Sequence, residues 1–122
     1  MTLLVSILSL GCTASPEPIR DEATPSEGVF GSQWGTEGSG DGELQAPNGV
    51  AVASNGSVFV VGFQIGRIQK FDWEGVFVSK WGTFGTDEGQ FNLPMDVAVA
   101  SDGSVYVADM LNHRIQKFLP RQ

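Results

Sequence analysis

The sequence predicts an all-β fold built from two copies of a four-stranded antiparallel unit. The first observation is an internal repeat: residues 28–71 and 75–118 align without a gap at an offset of 47, with 24 identities in 44 positions. The second is the alternation of apolar residues with period two inside each copy, which is typical of half-buried strands. The third is a content of 16 glycines in 122 residues, which indicates many tight turns. A repeat of roughly 20 to 50 residues predicts stacked units that cannot each bury their apolar faces alone.

Glycine turns bound the predicted strands. In the first copy, a strand over 50–53 leads to Asn55-Gly56, a dipeptide that favours a type I′ hairpin turn because both residues tolerate a positive φ. Further strands are predicted at 57–61, 67–72 and 76–81, and the second copy repeats the first three at 97–100, 104–108 and 114–119. Residues 29–34 match the fourth strand and are predicted to form one. Four strands in 47 residues are the content of one β-propeller blade.

The second copy carries an ordered set of motifs: Pro94, Val97-Ala98-Val99, Asp102-Gly103, the segment 105–109 and the segment 112–118. These motifs resemble the NHL repeat, and the resemblance covers both copies, about 95 of the 122 residues. It implies two four-stranded antiparallel blades of an NHL-type β-propeller, either a partial propeller or a six-blade ring completed by oligomerisation. The first copy departs from the pattern at 62–66, where the aspartate and the Asn-His pair are missing.

A polar cluster follows the second predicted strand of the second copy: Asp109, Asn112, His113 and Arg114. Such side chains could ligate a cation or act as a base. We favour a structural interpretation, in which they satisfy backbone groups of a tight connection.

Two blades cannot close a ring, because β-propellers use about 4 to 8 blades. In propellers that resemble this chain, an N-terminal strand completes the last blade, and residues 29–34 are the segment predicted for that place. Three alternatives follow. The first is a homotrimer of six blades, in which each chain lends this strand to a neighbour. The others are a fragment of a longer gene and a two-blade monomer of marginal stability.

The residues before the repeats differ from them in composition. Leu3–Leu10 is an eight-residue apolar run, far shorter than the roughly 20 residues of a membrane-spanning helix. Residues 1–12 resemble a bacterial lipoprotein signal, which implies lipidation of Cys12. Residues 13–27 hold three prolines and five charges and are predicted to be a disordered tether. We therefore expect a chain in the bacterial cell envelope or outside the cell, bound to a membrane only through its lipid.

Charge and composition argue against several functions. With 14 acidic and 7 basic side chains, the chain lacks the electrostatic attraction that dominates nucleic-acid binding. One cysteine and one histidine cannot assemble a Cys/His zinc site. The Gly-rich acidic loops at 38–43 and 85–89 supply too few converging oxygens for calcium and are interpreted as flexible inter-blade turns. We expect no cofactor, no metal and no catalytic residue.

The sequence predicts a non-catalytic binding or scaffold module. By analogy with propellers, its contact surface is expected at a rim formed in each copy by the loop before the first strand and the loop between the second and third strands. The rim residues are Gln45, Asn48, Phe63, Gln64, Met95, Asp96, Met110 and Leu111. The partner is a protein or a small ligand. The competing hypothesis is a fragment of a propeller enzyme, amidating-lyase-like or lactonase-like.

Overall fold

The computed structural model describes residues 28–121 and confirms the predicted all-β fold. Its strands are β1 (Pro47–Val52), β2 (Val58–Gly62), β3 (Arg67–Phe71), β4 (Phe77–Trp81), β5 (Thr83–Phe84), β6 (Gln90–Phe91), β7 (Pro94–Val99), β8 (Val105–Asp109) and β9 (Arg114–Phe118). A short 3₁₀ helix, Met110–Asn112, joins β8 to β9. The described part of the chain contains no α-helix.

Two antiparallel sheets contain the seven longer strands. The first sheet has the order β1-β2-β3-β4 and the second the order β7-β8-β9, so consecutive strands pair in both. The register repeats at the 47-residue offset, since Val50 pairs with Val60 as Val97 pairs with Val107. Each sheet therefore has the strand order of a propeller blade. The strands β5 and β6, which follow the first sheet in the chain, form a short parallel pair.

The two sheets share one hydrophobic core. Its buried residues are Phe59, Val61 and Ile68 from the first sheet, Val97, Val105 and Val107 from the second, and Phe91 from β6. They come from alternate positions along the strands, because successive side chains of a strand point to opposite faces. Full burial of one such side chain stabilises the fold by about 1.5–3 kcal/mol. A smaller cluster, Val58, Val60 and Phe71, lies on the other face of the first sheet beneath Leu44 and Phe77.

The turn between β1 and β2 differs from the sequence prediction. The Gly56 amide donates to the Ala53 carbonyl (2.9 Å), and the Ala53 amide donates to the Ser57 carbonyl (2.8 Å). Gly56 has a φ of 91°, but Asn55 has no positive φ. The type I′ prediction is therefore wrong, because that turn needs a positive φ at both central residues. The Asn55 side chain instead accepts a hydrogen bond from the Ser57 amide (2.9 Å), which stabilises a turn followed by a glycine bulge.

The strand predicted at 29–34 is also wrong, since no ladder among the described residues includes this segment. Val29 and Phe30 are exposed. A strand needs a neighbouring strand to satisfy its backbone N–H and C=O groups. Residues 28–32 fall in a separate compact unit from the sheets, which lie within 33–121. In the described part of the chain the second sheet thus has the three strands predicted for the second copy, without the fourth strand that residues 29–34 are predicted to supply.

Gly82 follows β4 at a point where the backbone runs against the core. Its φ is 102°, and a Cβ built on it would lie 2.6 Å from Cε2 of Phe91. Gly89 also has a positive φ, of 80°, but a Cβ built there meets nothing within 4 Å. The two glycines therefore separate the effect of backbone conformation from that of close packing.

We expect Gly82→Ala to destabilise the chain more than Gly89→Ala. Both variants place a side chain at a positive φ, which costs about 1–2 kcal/mol. Gly82→Ala also forces a methyl group against Phe91, and overpacking of this kind adds about 1–3 kcal/mol. Urea unfolding followed by circular dichroism measures both losses. Equal losses of unfolding free energy would contradict the packing of Phe91 against Gly82.

Candidate functional site

The predicted rim residues lie at one end of the two sheets. In each sheet the first strand begins beside the end of the second strand, which brings the two predicted segments together. Asn48, Met95 and Asp96 are predicted in the loop before the first strand, but they lie in β1 and β7, because these strands begin three residues earlier than predicted. Backbone hydrogen bonds join these loops within each blade. The Phe63 amide donates to the Ala46 carbonyl (3.4 Å), and the Leu111 amide donates to the Asn92 carbonyl (3.0 Å). The loops are therefore attached to each other as well as to the strands.

A side-chain contact connects the rims of the two blades. The Asn48 carboxamide donates to the sulfur of Met95 (3.5 Å), its equivalent in the second repeat. Six of the rim residues are exposed, and Gln45 and Phe63 are half-buried. The exposed apolar side chains include Met95 at 37%, Met110 at 40% and Leu111 at 45%. The rim thus presents apolar side chains beside amide and carboxylate groups.

The Asp109 carboxylate lies at the centre of a hydrogen-bond network below the rim. Its Oδ1 accepts from the Asn92 amide (2.7 Å). Its Oδ2 accepts from Nδ2 of Asn112 (2.9 Å), Nε of Arg114 (2.8 Å) and Nε2 of Gln116 (3.2 Å). The side chain of Asp109 is fully buried. Four donors therefore converge on one buried carboxylate.

The same side chains hold the Gly-rich loop between β5 and β6. Asn112 donates to the Gly85 carbonyl (2.9 Å), and Arg114 donates to three further carbonyls around the loop, each at 2.9 Å. The Gln116 carboxamide accepts from the Gly89 amide (2.9 Å). The interpretation of this segment as a flexible turn is thus wrong, because side chains from the 3₁₀ helix and β9 fix its backbone.

Burial raises the pKa of the Asp109 carboxyl, but the bonds from Asn92, Asn112, Arg114 and Gln116 outweigh burial and lower the pKa below its usual value. The group is therefore charged at neutral pH. A metal ion or a substrate proton would have to displace these donors. His113, by contrast, is exposed, and its left-handed backbone (φ 56°) ends the 3₁₀ helix.

The first repeat lacks this carboxylate, since Gly62 stands at the position of Asp109. The Arg67 guanidinium still donates through Nη2 to the Gly40 carbonyl (2.8 Å). Its Nε, however, is buried and has no hydrogen-bond partner among the described residues. Gln69 holds the Gly-rich loop as Gln116 does, because its carboxamide accepts from the Gly42 amide (2.9 Å). The two repeats thus share the loop contacts and differ at the carboxylate.

A groove that sequence reasoning missed lies between the blades near the β1–β2 turn. Its volume is about 520 Å³, and its lining includes Phe59, Lys70, Trp81, Phe118 and Arg121. The indole N–H of Trp81 is buried without a partner among the described residues. Trp81 of the first sheet packs on Phe118 of the second at a ring distance of 5.4 Å, so the groove is lined by side chains of both sheets and depends on how the sheets pack.

Within residues 28–121, no group of three or more His, Cys, Asp and Glu side chains is arranged to hold a metal ion. No helix among these residues has the length and apolarity needed to cross a bilayer. Cys12, the predicted lipidation site, and the predicted tether 13–27 lie outside the described residues.

Comparison with known proteins supports the repeat assignment. Residues 91–118 match the NHL repeat family, so the second copy contains an NHL repeat. No curated protein matches the chain. The solved structures that match include virginiamycin B lyase from Staphylococcus aureus, at 16% sequence identity and a TM-score of 0.42. That alignment covers 62% of this chain and 27% of the lyase chain, so this chain spans about a quarter of the length of that protein.

Grafting the missing carboxylate into the first repeat should stabilise the chain. The double variant Gly62→Asp/Ile65→Asn places the equivalents of Asp109 and Asn112 in the first repeat. A Cβ at position 62 would lie 3.1 Å from Cγ1 of Ile65, and the substitution at 65 removes that atom. An unpaired buried donor costs about 1–3 kcal/mol, part of which the new bond to Arg67 recovers. Thermal unfolding measures the gain. The single variant Ile65→Asn is the control and should destabilise the chain. If the double variant is no more stable than this control, the role assigned to Asp109 is contradicted.

The network also predicts how stability depends on pH. Because the folded-state pKa of Asp109 lies below the unfolded value of about 3.9, its contribution to stability is present above that value and is lost as the pH falls through the folded pKa. Wild-type unfolding free energy should therefore fall more steeply below about pH 4 than that of Asp109→Asn. Glu88→Gln, in an exposed position of the same loop, controls for the loss of one charge. Parallel curves for wild type and Asp109→Asn would contradict this expectation.

Proposed function

We propose that this chain is a non-catalytic binding module that recognises an extended protein segment through the rim of its two blades. The observation that carries the proposal is a group of exposed apolar side chains at one end of the sheets, Met95 near the start of β7 and Met110 and Leu111 in the 3₁₀ helix. A backbone hydrogen bond from Leu111 to the Asn92 carbonyl joins this helix to the segment before β7. Loops held by a sheet are a common location of binding residues, because the sheet fixes their position before the partner arrives.

The chemistry of the rim suits a peptide. Methionine side chains adapt their shape to different apolar partners. The Gln64 and Asn48 side chains of the same rim offer both donors and acceptors, which match the backbone groups of an extended chain. Asp96 adds one negative charge at the same end of the sheet. A segment with apolar and basic residues is therefore the favoured partner.

The state of Asp109 favours binding over catalysis. A general base or a metal ligand needs a free lone pair directed at its substrate or ion. The Asp109 oxygens accept from four N–H donors, and three of these, the Asn112, Arg114 and Gln116 side chains, also position the loop at 85–90. His113, the other titratable member of the predicted motif, is exposed on the 3₁₀ connection. The enzymatic alternative remains a sequence prediction that this geometry does not favour.

The tethering to a membrane is part of the same proposal and rests on sequence alone. The apolar run at 3–10, Cys12 and the Pro-rich residues 13–27 stand in the order expected of a module attached by lipid to an envelope membrane. A tether of this kind leaves the rim accessible to partners near the surface.

Selection of phage-displayed linear peptides against the immobilised chain tests the proposal. We expect selected peptides to lose at least tenfold in affinity towards Leu111→Asp and Met95→Asp, because each variant places a charge on the apolar part of the rim. Lys70→Ala, in the groove at the other end of the strands, is the matched control and should leave peptide affinity unchanged. Peptides that bind both rim variants as tightly as wild type would show that the contact surface lies elsewhere. Stoichiometric zinc or calcium in the purified protein would favour the enzymatic alternative.

A further inference from the structure

Identical residues at equivalent positions of the two repeats differ in exposure. Ile68 in β3 is fully buried, whereas Ile115 in β9 is 65% exposed. Val97 in β7 is 5% exposed, whereas Val50 in β1 is 63% exposed. The residue type and the strand position are the same within each pair, so the difference comes from what covers each sheet. The exposed members mark one apolar face on each sheet that no other sheet of the described residues covers. On the first sheet, Leu44 and Phe77 cover only the part of this face around Val58 and Val60.

The contact between the two sheets shows which faces fit each other. We define the front face by Ala51, Phe59, Val61 and Ile68 in the first sheet and by Ala98, Tyr106, Ala108 and Ile115 in the second. We define the back face by Val50, Val52, Val58 and Val60 in the first sheet and by Val97, Val99, Val105 and Val107 in the second. Inside the chain, the front face of the first sheet packs on the back face of the second.

We propose that a second copy of this chain docks the back face of its first sheet onto the front face of the second sheet. The docked pair would reproduce between chains the contact seen within one chain. The back faces of the two sheets are identical at all four positions. The front faces share the alanine and the isoleucine, and they replace Phe59 by Tyr106 and Val61 by Ala108. This front face holds a hollow of about 170 Å³, lined by Ala98, Tyr106, Ala108 and Ile115 with Asp96 at its side, which the valines of a docked copy would fill.

The segment before the first sheet supports the same partner. Trp34 packs on Phe71 at a ring distance of 5.9 Å, as Trp81 packs on Phe118 at 5.4 Å. Trp81 is the last residue of β4, the fourth strand of the preceding sheet. Trp34 therefore stands where the fourth strand of another preceding sheet would end. Residues 28–34 match residues 75–81 at five of seven positions, and β9 has a free edge among the described strands.

One pair of positions must adjust at the docked contact. Within the chain, Gly49 lies so close to the second sheet that a Cβ on it would be 3.1 Å from Cα of Asp96. At the contact between two chains the two positions swap sheets, so that Asp96 of one chain faces Gly49 of the docked copy. The two backbones must then lie a few tenths of an ångström further apart than they do within one chain. The Asp96 carboxylate already accepts from its neighbour Val97 (2.9 Å), which satisfies one of its oxygens.

The contact uses a different face on each chain, so it is head-to-tail and leaves both outer faces of a pair available for further copies. Such contacts continue until the rotation closes a ring. Because propellers close with about 4 to 8 blades, a ring of two-blade chains contains two to four copies. The proposal involves the sheet faces and does not depend on the rim having a partner.

The test is the mass of the full 122-residue chain in solution, measured by light scattering across a micromolar concentration series. We expect wild type at two to four times the mass of one chain. Ile115→Asp blocks the front face and Val52→Asp blocks the back face, and each should reduce the mass to that of a single chain. Both side chains are exposed within one chain, at 65% each, so the variants retain its internal core. Leu111→Asp, which places the same charge on the rim, is the matched control and should keep the wild-type mass.

Mixing the two blocked variants gives the decisive result. Ile115→Asp retains a back face and Val52→Asp retains a front face, so an equimolar mixture should form a heterodimer and stop there. A mixture that stays at the mass of one chain would overturn the proposal. A wild-type chain at single-chain mass would overturn it too, and would indicate that other blades cover these faces. Association that survives in either blocked variant alone would show face-to-face or non-specific contact instead.

Discussion

The structure depends on the packing of one β-sheet against the next. A short antiparallel sheet buries only one row of side chains per strand on each face, and a face left in water forfeits the free energy of that burial. The first sheet covers the back of the second with Phe59, Val61 and Ile68, and these three residues form the larger core with the valines opposite them. The repeat length of 47 residues is the chain needed to make one such sheet and reach the next.

Polar side chains then fix the loops that this packing places at the sheet ends. Gln69 and Gln116 occupy equivalent strand positions and hold equivalent glycine loops through the amides of Gly42 and Gly89. Only the second repeat adds the buried carboxylate of Asp109, which orients Arg114 and ties the 3₁₀ connection to the loop. The rim above this network is thus better supported in the second blade than in the first, where Arg67 has no such partner.

The sequence contained enough signal for the strand order, because alternation, glycine turns and the repeat all depend on contacts close in the chain. The observed strand ends differ from the predictions by at most three residues, and the starts at Arg67 and Arg114 and the end at Trp81 agree. The parallel pairing of β5 with β6 could not be predicted, since two-residue strands carry no periodic pattern. The roles of Gln69 and Gln116 were missed for another reason: their hydrogen bonds reach 26 or 27 residues back in the chain, and alternation alone gives no indication that a glutamine is buried. The strand predicted at 29–34 shows that propensity without a pairing partner does not make a strand.

The central claim is that the two sheets fold as one cooperative unit because they share a core. Native-state amide hydrogen exchange tests this claim most directly. The slowest amides of β2 and β8 lie on opposite sides of that core. If the sheets depend on each other, these amides exchange through the same global opening and give the same free energy. A difference between the two strands of more than about 1 kcal/mol, a fivefold difference in opening equilibrium, would show that each repeat folds without its neighbour and would contradict the account.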